Sequence, residues 1–215
     1  MGAPRKSGLS EFFRAYPRMA LRPEPGASVV LKGMFDFSAA RQGMVEITDS
    51  FGLSIKVPAA FPRDLPRVRE TGGRIPNDGK HHVNQNDGTL CLGAPVRVLL
   101  NLSRNPTLVG FAENCLVPYL YDMSQTLNGG TPFAFGELAH GTIGEFTDYA
   151  DLLGLKNPEQ AKLAITLLGM KKRAANKCHC PCGCGKTLGR CSLNARLREL
   201  RQIASRSWYK SVMKR

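Results

Sequence analysis

Hydrophobic positions recur along this chain with two different periods. Near the N-terminus, apolar side chains recur at helical spacing and predict a short amphipathic helix that ends near Pro17. After it, apolar residues alternate with polar ones, which predicts a series of short strands. The short connections between them favour an antiparallel meander over alternating βαβ units. The predicted strands cover residues 28–37, 44–48, 51–57 and 67–69.

In the second half of the chain the apolar period becomes helical. Pro106 is placed for the first turn of a helix whose apolar face covers residues 108–116. Two more amphipathic helices are expected over 143–153 and 157–170, and a basic amphipathic helix ends the chain. The predicted fold class is therefore α+β, an antiparallel four-stranded meander flanked by helices, followed by a small C-terminal unit.

The length fits one domain with an appendage. We expect a body over residues 1–155, a helical connector over 156–176 and a C-terminal segment over 177–215. No apolar run approaches the roughly 18 residues of a membrane span, and the N-terminus lacks the apolar core of a secretion signal. The sequence therefore predicts a cytoplasmic protein that has no membrane partner.

The net charge of +13 is concentrated at the C-terminus. From Lys171 onward there are 13 Lys and Arg residues against one acid, Glu199, a net charge of +12, whereas residues 1–170 are close to neutral. Such a tail favours an acidic partner, either nucleic acid or an acidic protein face. A solvated basic surface helix is the plainer interpretation.

The seven cysteines fall into two groups, and five of them lie between residues 178 and 191. In a reducing compartment such clusters bind metal more often than they form disulfides. Glycines between the cysteines let the backbone fold around an ion, so we expect a structural, tetrahedral Zn²⁺ knuckle. The candidate ligands are Cys178, Cys180, Cys182, Cys184 and Cys191, with His179 a weaker candidate.

Cys91 lies in a different setting from that cluster. It follows a run of polar and turn residues that contains His81 and His82, and leucines flank it. A cysteine at the point where a polar loop meets an apolar segment predicts a nucleophile in an active-site loop. Cys115 falls on the apolar face of a predicted helix, and we expect it to be a small buried hydrophobe.

The residues around Cys91 resemble the ubiquitin-conjugating enzymes, in their bacterial branch. That family carries a proline-rich segment, then His-Pro-Asn, a short turn and Gly-x-Ile-Cys-Leu. Here residues 61–66 read Phe-Pro-Arg-Asp-Leu-Pro, residues 82–84 read His-Val-Asn, and residues 88–92 read Gly-Thr-Leu-Cys-Leu. The order and spacing agree with the family, and the resemblance covers roughly residues 8–155.

The resemblance implies roles for three side chains. Cys91 would accept an acyl group as a thioester, and Asn84 would donate a hydrogen bond to the oxyanion that forms when an amine attacks. His82 would shape the loop rather than act as a base. Val83 replaces the family's proline and removes its rigidity, and Gly93 replaces the acid that often follows Cys-Leu.

The resemblance also implies a biological setting. Bacterial proteins with this body often belong to anti-phage operons of the CBASS type. They act there beside a cGAS-like nucleotidyltransferase whose C-terminus is the group conjugated. The expectation is a standalone acyltransferase that works with this nucleotidyltransferase or with another protein that has a conjugated C-terminus.

The C-terminal cysteines resemble the zinc motif at the C-terminus of the SecA translocation ATPase. Cys180, Cys182 and Cys191 match its spacing, but Ser192 stands where that motif has its fourth ligand. The first choice for the fourth ligand is Cys178, and the second is Cys184.

Two other functions stay open from the sequence. One is a zinc-containing basic scaffold or nucleic-acid-binding protein whose body is catalytically inactive. The other is a cysteine hydrolase that uses Cys91 with His82 or His140. No Cys-Gly-Ser-Cys-Trp-type or Gln-Ala-Cys-type protease sequence is present.

Overall fold

The computed structural model describes residues 8–23, 28–129 and 142–214, which belong to two compact units. The described part of the first unit comprises residues 8–23, 28–93 and 101–129. The second comprises residues 94–100 and 142–214. This division differs from the predicted one, in which the body extended to residue 155 and residues 177–215 stood apart.

The first unit is built on one sheet in which every strand pairing is antiparallel. The strands are β1 Met19–Arg22, β2 Val29–Ala39, β3 Ile47–Val57, β4 Arg67–Glu70, β5 Val83–Asn84 and β6 Thr89–Leu90. Their order across the sheet is β1-β2-β3-β4-β6-β5. The α+β class and the antiparallel meander are therefore confirmed. A short hairpin, formed by β5 and β6 with two residues in each strand, extends the sheet beyond β4.

The four strands of the meander come partly from segments other than those predicted. β1 was not predicted, because it is four residues long and lies between Pro17 and Pro23. The two strands predicted at 44–48 and 51–57 are wrong as separate elements, since β3 begins at Ile47 and runs without a break to Val57. β4 agrees with the short strand expected at 67–69.

Polar partners explain why β3 is continuous. Asp49 and Ser50 interrupt the apolar pattern near the start of this strand. Arg74 pairs with the Asp49 carboxylate at 2.8 Å, and the Ser124 hydroxyl donates to it at 2.7 Å. Because the carboxylate is satisfied by side chains from two other segments, it stays within the sheet instead of forming a turn.

Helices complete the core of the first unit. They are α1 Leu9–Ala15, the C-terminal residues of α2 Pro95–Arg104, α3 Leu108–Phe111 and α4 Val117–Leu127, with a π-helical turn at Ala112–Leu116. α4 packs against β2 and β3. Tyr16, just after α1, stacks on Phe35 of β2 with 4.2 Å between ring centroids. The predicted N-terminal helix is therefore confirmed, and it lies on the sheet.

The second unit is helical outside its cysteine-rich segment. Besides the first residues of α2, its helices are α5 Thr142–Leu153, α6 Pro158–Leu168, α7 Lys172–Ala175, α8 Leu193–Ile203 and α9 Arg206–Val212. α6 packs against α5, α7, α8 and α9, and its Ala161, Ile165 and Leu168 side chains are fully buried. The segment predicted to be a connector is thus the core of this unit.

The basic C-terminal helix is two helices rather than the single one predicted. α8 ends at Ile203, and the Ser205 hydroxyl caps α9 by accepting a hydrogen bond from the Trp208 amide at 3.2 Å. A serine in extended conformation with this hydrogen bond is a strong helix start. Among the described residues, no helix combines the length and the apolar character that a membrane span requires.

Candidate functional site

The β5–β6 hairpin carries Asn84 and leads directly into Cys91. Asn84 pairs with Thr89 across the two strands, and Leu90 is buried. The Cys91 amide donates to the His82 carbonyl oxygen at 2.7 Å, which continues the pairing one residue beyond β6. The Cys91 side chain is exposed. A thiol is therefore presented to solvent from a backbone that hydrogen bonds hold in place.

His82 makes the bend opposite Cys91. It has φ 51° and ψ 46°, and it is the one non-glycine residue with positive φ in the described ranges. For an ordinary L-residue this conformation costs about 1–2 kcal/mol. Because the His82 carbonyl accepts the Cys91 amide, the main chain of His82 shapes the loop.

A buried tyrosine in α4 supports the same loop. The Tyr119 hydroxyl donates to the His81 carbonyl oxygen at 2.8 Å, and the tyrosine side chain is 5% exposed. Burial first, then the charges of Cys91 and Glu70, raise the pKa of Tyr119, so the hydroxyl stays a donor. Nothing in the local sequence indicated this residue, because its partner lies 38 positions away.

The His81 side chain, to which the sequence pattern assigns no role, fixes the 3₁₀ turn Gly79–His81. Its Nδ1 lies 2.7 Å from Asp78 Oδ1, and its backbone N–H donates to the same oxygen at 2.9 Å. Hydrogen bonds from the His81 ring and then from its amide lower the pKa of Asp78. The paired ring therefore contributes to loop structure.

A chain of hydrogen bonds orients Asn84. Its Nδ2 donates to Thr89 Oγ1 at 2.9 Å, and that hydroxyl donates to Asp87 Oδ1 at 2.6 Å. The Thr89 hydroxyl is the largest cause that lowers the pKa of Asp87, with Arg67 and Arg69 as weaker contributors, so the chain ends on a carboxylate. An amide nitrogen carries two hydrogens, and Nδ2 thus retains one for an acceptor outside the hairpin.

The structure brings Cys91, Asn84 and His82 together within one hairpin. The pairing register sets Asn84 diagonally across from Cys91, and such positions have Cα atoms about 7–8 Å apart. An exposed thiol on the same hairpin as an oriented amide donor has the group types needed to hold an acyl group and to stabilise a developing oxyanion. His140, the second histidine considered for a hydrolase, lies outside the described residues.

A second candidate site lies in the C-terminal cysteines, in the other unit. The Sγ atoms of Cys180, Cys182, Cys184 and Cys191 all lie within 4.8 Å of one another. Two of these separations are 3.2 Å, between Cys180 and Cys182, and 3.6 Å, between Cys182 and Cys191. Sulfurs arranged tetrahedrally about an ion at 2.3 Å are about 3.8 Å apart. The cluster therefore has the size and the ligand type of a thiolate metal site.

Cys178, the first choice for the fourth ligand, lies outside this group, so that prediction is wrong. Its thiol donates to the Ala174 carbonyl oxygen at 3.5 Å, and its amide donates to the Ala175 carbonyl oxygen at 3.1 Å. Both contacts satisfy carbonyls at the C-terminal end of α7. Cys184, the second choice, completes the four-cysteine cluster.

A short backbone reversal brings three alternate cysteines of this cluster together. The Cys180 amide donates to the Lys186 carbonyl oxygen at 2.9 Å. Between them, Gly183 and Gly185 have φ values of 75° and 73°. Glycine adopts this left-handed region without the steric cost that a side chain brings, which lets the chain turn tightly around the sulfurs.

Backbone amides polarise three of the four thiols. Each of these thiols accepts a hydrogen bond from the amide two residues further on. The pairs are Cys180 with Cys182, Cys184 with Lys186, and Cys191 with Leu193. The Leu193 amide, at the start of α8, is the main cause that lowers the pKa of Cys191 to about 7. Hydrogen bonds of this kind favour thiolate, the form that binds metal. Of these three thiols, only Cys191 has a lowered pKa: burial raises the pKa of Cys180, and at Cys184 the Lys186 amide lowers the pKa but the Cys182 thiol and its neighbours raise it above its ordinary value.

Comparison with protein-family models, curated proteins and solved structures finds no match to this chain. The likeness to the ubiquitin-conjugating enzymes therefore rests on the proline segment and the hairpin that precedes Cys91. The fold itself shows the α+β class, the antiparallel sheet and a cysteine cluster with metal-binding geometry.

Proposed function

We propose that this protein is a ubiquitin-conjugating-like acyltransferase with Cys91 as its nucleophile. The observation that carries the proposal is the exposed Cys91 thiol on a hairpin that also carries the oriented Asn84 amide. The Cys91 backbone is held by the hydrogen bond from its amide to the His82 carbonyl oxygen. The order of His82, Asn84 and Cys91 behind a proline segment supports the same function.

The proposed reaction has two steps. The Cys91 thiolate attacks the C-terminal carbonyl carbon of a partner protein that is already held as a thioester, and the donor thiolate leaves. An acceptor amine then attacks the Cys91 thioester, the C–N bond forms, the C–S bond breaks, and the amine proton passes to solvent. At neutral pH an unperturbed cysteine is ionised to a few per cent, which suffices for exchange with an activated thioester.

Asn84 serves the second step in this proposal. When the amine adds, negative charge develops on the carbonyl oxygen, and the second Nδ2 hydrogen is the donor that meets it. One such donor is typically worth about 10²–10³ in rate. Its hydrogen bond to Thr89 fixes the amide before the reaction begins, so little reorganisation is needed in the transition state.

The proposed partner is a cGAS-like nucleotidyltransferase, or another protein whose C-terminus is conjugated, in an anti-phage operon of the CBASS type. The support for this partner is the resemblance of the Cys91 loop to the bacterial branch of the conjugating family. The acceptor in this proposal carries a primary amine.

Mass spectrometry after co-expression tests the proposal. Cys91→Ser replaces a labile thioester by a stable ester, so the variant is expected to carry a partner adduct that mild base removes. Cys115→Ser is the matched control, because Cys115 is buried and burial raises the pKa of its thiol to about 12. Absence of an adduct on Cys91→Ser would count against conjugation. Rapid turnover of small esters that is lost with Cys91 would indicate the cysteine hydrolase instead.

We also propose that the four-cysteine cluster holds a structural Zn²⁺ through Cys180, Cys182, Cys184 and Cys191. Four thiolates with no open position are typical of structural zinc. The cluster is joined directly to helical structure, since Cys191 lies two residues before the start of α8. Bound zinc would stabilise the backbone around α8, and the chemistry at Cys91 needs no metal.

A further inference from the structure

The most strongly charged surface of the second unit has no role in the proposed acyl transfer. All Lys and Arg side chains between residues 171 and 214 are exposed except that of Arg201. Within the described ranges, no carboxylate forms an ion pair with any of them. Glu199 is the single acidic residue in this segment. The charge is therefore available to an external anion.

These cations are distributed over consecutive elements of one unit. Lys172 and Arg173 lie on α7, Lys186 and Arg190 lie in the cysteine-rich segment, and Arg196 and Arg198 lie on α8. α9 adds further exposed bases. An array of this extent is suited to a polymer of repeating negative charge rather than to a single small anion.

The apolar surface argues against a protein as the occupant. The exposed large hydrophobic side chains of the described residues are Leu21, Met44, Val45, Ile143 and Leu163, and none belongs to residues 171–214. Protein interfaces usually depend on a buried centre of aromatic and aliphatic anchors. Contacts to phosphates need no such centre, because most of their affinity comes from counterion release.

The aromatic side chains further restrict the ligand. Trp208 and Tyr209 are 7% and 0% exposed, and their rings pack edge to face within the unit. Proteins that bind single strands without sequence preference use exposed aromatic rings on which bases stack. The exposed tail residues are instead cations with serine and glutamine side chains such as Ser207 and Gln202, which are typical phosphate contacts.

We propose that residues 171–214 form a binding surface for the sugar–phosphate backbone of double-stranded nucleic acid, independent of base sequence. Phosphate contacts of this kind position a protein on a duplex without reading its bases. This activity is separate from acyl transfer, and its test requires neither Cys91 nor a conjugation partner.

The test measures fluorescence anisotropy of the full-length protein with two labelled DNA duplexes of unrelated sequence. Both duplexes are expected to bind with equal affinity, and the affinity is expected to fall steeply between about 50 and 200 mM salt. Poly-glutamate serves as the stand-in for an acidic protein face. If it competes with the duplexes at equal charge concentration, or if neither duplex binds, the proposal is wrong.

Charge-neutral variants locate the surface. Arg196→Gln with Arg198→Gln removes two phosphate contacts, so the salt slope should fall by about 2 and the affinity near 0.1 M salt by roughly ten- to a hundredfold. The matched control, Lys32→Gln with Arg104→Gln, removes the same charge from exposed positions of the first unit and should bind like the wild type. Equal losses in both double variants would show a net-charge effect and overturn the assignment.

A second pair of substitutions guards against misfolding. Lys172→Gln with Arg173→Gln makes the same test from α7, and circular dichroism and metal content are expected to match the wild type for every variant. Wild-type affinity in both the α7 pair and the α8 pair would refute the proposal, since two separate parts of the surface would then contribute nothing.

Discussion

The Tyr119 hydroxyl donates a 2.8 Å hydrogen bond to the His81 carbonyl oxygen and so ties α4 to the loop that ends at Cys91. The tyrosine is buried, and its pKa is raised, so the phenol acts as a constant donor. Together with the pairing of β6 to β4, this contact supports a hairpin whose strands have only two residues each. Such short strands are not stable on their own.

Tyr119→Phe is therefore expected to loosen the loop as well as to lower stability. Loss of the hydrogen bond should cost about 1 kcal/mol in urea denaturation, and Cys91 should alkylate at a changed rate. Tyr121→Phe is the control, because its hydroxyl donates to the Val45 carbonyl oxygen at 2.8 Å from the same helix. It should lose similar stability without altering Cys91 reactivity, and an equal change of Cys91 reactivity in both variants would contradict the assigned contact.

His82 should tolerate glycine but not a β-branched residue. The residue has φ 51°, so His82→Val is expected to destabilise the protein by about 1–2 kcal/mol, whereas His82→Gly should stay close to the wild type in thermal unfolding. If His82→Gly abolishes acyl transfer while the protein remains equally stable, the imidazole takes part in the chemistry and its assignment as a loop-shaping residue is wrong.

Asn84→Ala should separate the two proposed steps. Formation of the Cys91 thioester is expected to proceed normally, and transfer to an amine should slow by about 10²–10³. Asn86→Ala is the control, since Asn86 is an exposed amide in the same turn. Single-turnover assays on the loaded enzyme measure transfer directly. A variant that fails to load would show that Asn84 acts before the amine attacks.

Acid should disrupt the hydrogen-bond chain that holds Asn84. The pKa of Asp87 is lowered, chiefly by the Thr89 hydroxyl. A lowered pKa in the folded state means that the contribution to stability is present above the unfolded value of about 3.9 and is lost as pH falls through the lower folded value. The free energies of unfolding of wild type and Asp87→Asn should therefore differ at neutral pH and converge in acid. A constant difference across that range would exclude Asp87 as the titrating group.

Serine substitutions at Cys184 and at Cys178 should have different effects on zinc binding. Cys184→Ser removes a metal ligand and should lower zinc affinity by more than the roughly 10–100-fold that outer-shell changes cost. Cys178→Ser should leave the zinc content unchanged, because its thiol contacts the Ala174 carbonyl oxygen. Elemental analysis and chelator competition measure both variants. Loss of zinc from Cys178→Ser alone would return that residue to the ligand set.

Local features of the sequence predicted local features of the structure well. The spacing of apolar residues correctly predicted α1, α5 and α6, because a helix with one buried face has apolar side chains every three or four residues. Asn157 and Pro158 marked the start of α6, where the asparagine side chain accepts the Gln160 amide at 2.9 Å. The residues predicted for catalysis lie together because they are close in the chain.

Sequence alone determined the fold class, the loop that carries Cys91 and the concentration of cysteines and positive charge at the C-terminus, since each is a property of neighbouring residues. Tertiary structure decided the rest. Arg74 and Ser124 keep Asp49 inside β3. The Cys178 thiol contacts the end of α7, and Cys184 completes the cysteine cluster. Tyr119 supports the Cys91 loop from α4. Each of these outcomes depends on which distant residue forms a hydrogen bond or ion pair with a given polar atom. Residue spacing along the chain does not indicate that partner.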